Sequence, residues 1–161
     1  MSMKTLLAVV CQLIALSHPA AHRLRPSVAE CRVTIDQPGG YGDQRLSTIG
    51  LWPDGNVVFR PGGPGFVTSD GALGMKFGWQ RGVRGQLRIQ GRRLDAPSSP
   101  LRSEVNNGYG EIGFQASYVI FPEPGCWEVT GRAGDASLTF VTLVTKIGEG
   151  PSWRRDGRYE R

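Results

Sequence analysis

The sequence predicts an all-β domain: a two-sheet, antiparallel sandwich of roughly seven to nine short strands. Three observations carry this. Short segments with period-two alternation, or rich in β-branched and aromatic residues, recur from Cys31 to Ile147. Turn residues separate them, and the 161-residue chain holds 23 glycines and 11 prolines. Beyond the first twenty residues no stretch has the 3.6-residue apolar repeat of a helix.

The stretch Gly113–Val144 organises the rest. Phe114, Ala116, Tyr118 and Ile120 alternate with Gln115, Ser117, Val119 and Phe121, which makes a strand with one face more apolar than the other. Pro122-Glu123-Pro124-Gly125 ends it, because proline lacks a ladder donor and glycine accepts positive φ. Cys126–Gly131 reads as a second strand, Gly134-Asp135 as a turn, and Leu138–Val144 as a third strand.

Upstream, Cys31–Ile35 is expected as the first strand, followed by a loop through Gly42. Leu46–Trp52 is expected to form a hairpin with Asn56–Phe59 across Pro53-Asp54-Gly55. Arg60–Gly65 reads as a rigid surface loop; no Gly-Lys-Ser/Thr and no helix follow, so its glycines have no phosphate-cradle frame. Phe66–Thr68 and Leu73–Trp79 flank a turn at Ser69-Asp70-Gly71. Gly85–Ile89 is a further strand, with Gly91 as a bulge. Leu101–Val105 follows a proline-rich connection, and Asn106-Asn107-Gly108 turns the chain into the organising stretch.

Three segments, FQASYVIFPEPGCWEVTGRAGDASLTFV, LWPDGNVVFRPGGPGFVTSDGALGMKF and GRRLDAP, are similar to parts of a family of uncharacterised secreted bacterial proteins. The similarity spans about Cys31 to Gly150. It implies an immunoglobulin-like β-sandwich and carries no catalytic or ligand-binding residues with it.

The N-terminus reads as a secretory signal. Lys4 precedes an apolar run, Leu6–Leu16, that is too short to span a membrane. Residues 1–21 are therefore expected as a signal peptide, 22–30 as a disordered spacer, 31–147 as the sandwich and 148–161 as a mobile basic tail. Small residues at Ala15-Leu16-Ser17 and at Ser27-Val28-Ala29 offer two cleavage points. Cys11 lacks the preceding sequence of a lipid-anchor site. The expected location is secreted or in the cell envelope, with no integral membrane segment after signal removal. Export leaves Cys31 and Cys126 as an even pair in an oxidising compartment. They are expected to bridge, and the long loop so closed would stabilise by about 4–5 kcal/mol at most. Two buried thiols and a bridge to a second chain are the alternatives.

Charge is modest, 19 basic against 14 acidic residues, or +5. Arginines cluster at Arg81, Arg84, Arg88, Arg92 and Arg93, and again in the tail. A solvated strand face explains the first cluster at lower cost than a polyanion site, and no nucleic-acid recognition motif is present. Both histidines, His18 and His22, lie in or beside the leader. The domain itself thus has no imidazole for a Ser-His-Asp triad, a Cys-His pair or a histidine zinc site. No catalytic residue, metal or cofactor is expected.

Asp54, Asp70 and Asp135 stand beside glycines, where carboxylates cap turn amides. Glu111 and Glu128 are the pair a carboxylate-dependent hydrolase would need close together. Lys76 has no serine motif to frame it. Aromatics are the stronger lead. Trp52, Phe77, Trp79, Tyr109 and Tyr118 fall on strand ends and loops, where exposed rings would stack on a sugar or anchor a partner. Trp127 is expected to pack against the disulfide. Trp79, between Gly78 and Gln80-Arg81-Gly82, is expected near the surface. The expected function is a non-enzymatic sandwich binding a partner protein or glycan at the cell surface through Trp79, Arg81, Arg60 and Tyr109. The alternatives are an accessory domain of an envelope assembly docking by a sheet edge, and the hydrolase.

Overall fold

The computed structural model describes residues 31–148, apart from Gln37 and Gly39. The expected leader and spacer, and the tail beyond Gly148, lie outside the described residues. Nine strands form two sheets: β1 (Leu46–Thr48), β2 (Asn56–Phe59), β3 (Phe66–Val67), β4 (Leu73–Arg81), β5 (Arg88–Arg93), β6 (Arg102–Val105), β7 (Gly113–Phe121), β8 (Gly125–Ala133) and β9 (Ala136–Lys146). One sheet runs β1-β4-β7-β6, with β3 also on β4; the other runs β2-β9-β8-β5. Among the described residues no helix is long and apolar enough to cross a membrane.

The core lies between the sheets. Every second residue of β4 (Leu73, Met75, Phe77, Trp79) is buried, facing Val57, Phe59, Trp127, Val129, Phe140 and Val144 of the opposite sheet. Much of this core is aromatic: Trp52 stacks on Phe77 at 4.8 Å, and Phe121 meets Trp127 edge-on at 5.7 Å. Offset and edge-on rings of this kind stabilise beyond their buried area.

The organising stretch folds as three consecutive strands, as expected, with β8 and β9 paired antiparallel in one sheet and β7 in the other. Its orientation is the surprise. Gln115, Ser117, Val119 and Phe121 turn inward, while the more apolar set turns outward. Polar partners make this tolerable: Trp79 Nε1–H donates to Ser117 Oγ at 3.1 Å, and Ser117 Oγ donates to the Phe77 carbonyl at 3.2 Å. Outside, Ile120 is still covered, by Phe66, Ala72 and Tyr118.

Cys31 and Cys126 are bridged, across a sequence separation of 95. The bridge lies on the outer face of the second sheet with Leu143, Val33 and Val141. Trp127 points the other way, into the main core, since adjacent strand residues face opposite sides. The expected packing of Trp127 on the disulfide is thus corrected.

Three further expectations are corrected. Cys31–Ile35 forms no strand: Thr34 N–H donates to the Val141 carbonyl, but Val141 N–H is taken by Thr34 Oγ1, so a side chain interrupts the ladder. Asn56–Phe59 is no hairpin partner of β1. It crosses to the second sheet and pairs parallel with β9, from Asn56 opposite Leu143 to Phe59 opposite Lys146. Parallel pairing needs a long connection, and nearly the whole domain separates β2 from β9. Gly91 is no bulge: it pairs regularly with Val129, and its missing side chain admits Leu101, whose N–H donates to the Gly91 carbonyl at 3.1 Å.

Candidate functional site

A polar cleft lies at the end of the sandwich where β4 finishes and β7 begins. It encloses about 330 Å³. One wall is the segment Gly85–Leu87, leading into β5; the other is Val105–Glu111, leading out of β6; Arg81 and Gln115 close it between them. Glycines set these walls. Gly85, at φ 134, is pressed against the β8–β9 turn, where a side chain would meet Gly134 N at 2.4 Å. Gly108, at φ 87, reverses the other wall.

Arg81 is the last residue of β4 and is only 4% exposed. Its Nη1 donates to the Gly85 carbonyl at 2.9 Å and its Nη2 to the Gly110 carbonyl, so one guanidinium ties both walls together. Its buried Nε has no hydrogen-bond partner. Gln115 Nε2 donates to the Asn106 carbonyl at 2.7 Å, fixing the base of the second wall. Tyr109 stands at the mouth, 38% exposed, with its ring edge-on to the exposed Phe114 at 5.5 Å. Glu111 is the only acid in the lining, and it pairs at 3.0 Å with Arg84, both side chains largely solvent-exposed.

Of the four expected binding residues, the fold brings Arg81 and Tyr109 to one cleft. Trp79 is fully buried, which corrects its expected surface position: on a strand it alternates with Gln80 and shares the inward side with Phe77. The flanking glycines have other causes. Gly78 leaves room outside for Phe114 and Ile49, and Gly82 passes against Gln44. Arg60 is exposed in the loop after β2, which ends beside the finish of β9, whereas the cleft lies where β9 starts. Arg60 and Arg81 are therefore at opposite ends of the sandwich.

The five clustered arginines do not form one face. Arg92 pairs with Glu128 at 2.8 Å on the second sheet. Arg93 is held by Asp95 at 2.7 Å and Glu123 at 2.9 Å. Arg88 stands opposite Arg132. Glu111 and Glu128 are engaged in these separate ion pairs, one in the β6–β7 loop and the other on β8 of the opposite sheet. The main partners of Asp70 are side chains rather than turn amides: Thr68 Oγ1 donates to it and Arg102 lies 3.0 Å away, and with a smaller contribution from the Ala72 amide they lower its carboxyl to about 2, the hydroxyl having the largest effect. Among the described residues no group of three or more histidines, cysteines or carboxylates is placed to hold a metal ion.

Gln86, Asn106, Asn107 and Gln115 were not singled out in the sequence, although they supply the amides of the cleft. Asn106-Asn107-Gly108 carried only a turn signal, and Gln115 only a place in an alternating strand. Comparison of the chain with known protein families, with curated proteins and with solved structures finds no match.

Proposed function

We propose that this chain is a non-enzymatic β-sandwich that binds a glycan at the cell surface, and that the cleft beside Tyr109 is its seat. The observation that carries the reading is the exposed Tyr109 ring, braced by Phe114 at 5.5 Å, at the mouth of an amide-lined cleft. A sugar has an apolar C–H face and a rim of hydroxyls. An aromatic ring matches the first, and side-chain amides, each both donor and acceptor, match the second. The volume, about 330 Å³, is at the small end for ligand sites and suits one or two sugar rings. Export, expected from the leader, would place the cleft where glycans are displayed. Docking as an accessory domain through a sheet edge has less support on one side. There Leu101 N–H bonds the Gly91 carbonyl and Ser103 Oγ the Ile89 carbonyl, so β5 and β6 cover each other.

The test is a glycan array probed with the full chain and with Tyr109→Ala. Binding that falls at least tenfold in the variant, with unchanged thermal stability, is the expected result. Equal binding by both would remove the cleft from the function.

A further inference from the structure

We infer that the sugar bound in this cleft carries a carboxylate, and that Arg81 is the residue that recognises it. The inference rests on the cleft being a glycan seat and adds the charge class of the ligand.

Arg81 is 4% exposed, yet it makes no ion pair among the described residues. A buried cation without a countercharge is costly, because desolvation is unopposed by Coulomb attraction. Its bonds to Gly85 and Gly110 require only neutral donors, and an amide side chain would supply those without a charge. Nε remains unpartnered in a buried position. Glu111, the one lining acid, engages Arg84 at 3.0 Å instead. The cleft is thus left with one uncompensated positive charge, on a planar fork that suits the two oxygens of a carboxylate. One unpaired cation balances a monoanion. A uronic acid unites that carboxylate with the C–H face that Tyr109 would stack on.

The full chain is titrated with methyl glucuronide, methyl glucoside and glucose 6-sulfate while amide and arginine Nε–H resonances are followed. The glucuronide is expected to shift the Arg81 Nε–H together with the amides of Gly108 and Gly110. The glucoside should need about tenfold more sugar for the same shift, the worth of one charged hydrogen bond. Arg81→Gln should bring the two sugars level. Should that variant lose its fold, Tyr109→Ala serves instead, weakening both sugars while leaving their ratio intact. Equal affinity for glucuronide and glucoside would overturn the carboxylate and leave the glycan reading standing. Tighter binding of the sulfate would overturn the carboxylate in favour of a sulfated sugar. Shifts from none of the three, or shifts confined to residues outside the cleft, would overturn both readings.

Discussion

The indole of Trp79 lies against the backbone of Gly131 on the facing sheet: a methyl group at Gly131 would stand 2.4 Å from the ring. Gly131 occupies an inward position of β8, between Val129 and Ala133. Glycine weakens a strand interior, so its presence there needs a reason, and the ring is that reason. Gly131→Ala is expected to destabilise by about 1–3 kcal/mol through overpacking, since Trp79 is also fixed by its bond to Ser117. Urea denaturation of the two proteins measures this. A gain in stability, the usual result of Gly→Ala in a strand with space, would refute the contact.

The disulfide ties the N-terminal segment at Cys31 to β8 of the second sheet. Replacing both cysteines by serine is expected to cost about 2–5 kcal/mol. The cost should appear first locally. Leu143, Val33 and Val141 lose their central packing partner, so hydrogen exchange at the Thr34 amide, bonded to the Val141 carbonyl, should accelerate more than exchange in β4. Uniform acceleration of both would instead indicate that the bridge acts only on the unfolded chain.

How far the sequence foretold this molecule follows from what each signal encodes. Period-two alternation located the strands of the second half, because hairpins such as Ala133–Ala136 are local. The same signal was blind to which sheet a strand joins: β2 reads as a hairpin partner but pairs with a strand more than eighty residues later. Alternation also does not say which face is inside. At β7 the inward set contains Gln115 and Ser117, acceptable only because Asn106 and Trp79 supply partners from distant positions. Trp79 is misplaced for a related reason: the flanking Gly78 and Gly82 suggest a surface position, although they serve close approaches within and beside the sheet. Of the cleft, Arg81 and Tyr109 were legible as cation and aromatic. The amides were not, since nothing local distinguishes a lining asparagine from a turn asparagine.

Acid should weaken this fold in a defined window. Asp70 is lowered from 3.8 to about 2, first by the Thr68 hydroxyl and then by Arg102. For Asp95 burial pulls the carboxyl upward, but the Arg93 guanidinium and the Cys126 amide outweigh it and the net shift is downward. A carboxyl whose folded value lies below its unfolded value stabilises fully above the unfolded value and loses that contribution as pH falls through the folded one. Stability should therefore decline between about pH 4 and pH 2. Urea midpoints at pH 5, 3 and 2 follow the decline. Asp95→Asn should lower the midpoint at pH 5 and matter progressively less toward pH 2. A constant difference across that range would assign the effect of Asp95 to packing.

On the outer face of the second sheet Arg88 of β5 stands directly opposite Arg132 of β8, and both are exposed. Like charges at facing positions of an antiparallel pair repel, and neither arginine has an ion-pair partner among the described residues. Four residues further along β5, on the same face, Arg92 and Glu128 occupy the equivalent arrangement with opposite charges and meet at 2.8 Å. Arg132→Glu would reproduce that favourable pair. It is expected to stabilise by about 0.5 kcal/mol, despite the poorer strand propensity of glutamate, and to raise the melting temperature by about 2 °C. Arg132→Gln, which removes the repulsion without adding attraction, should give roughly half of this. In 1 M salt the screening length falls to about 3 Å, and both gains should nearly vanish. A gain that survives high salt would show that propensity or packing at position 132, not the facing charges, sets the stability of this edge.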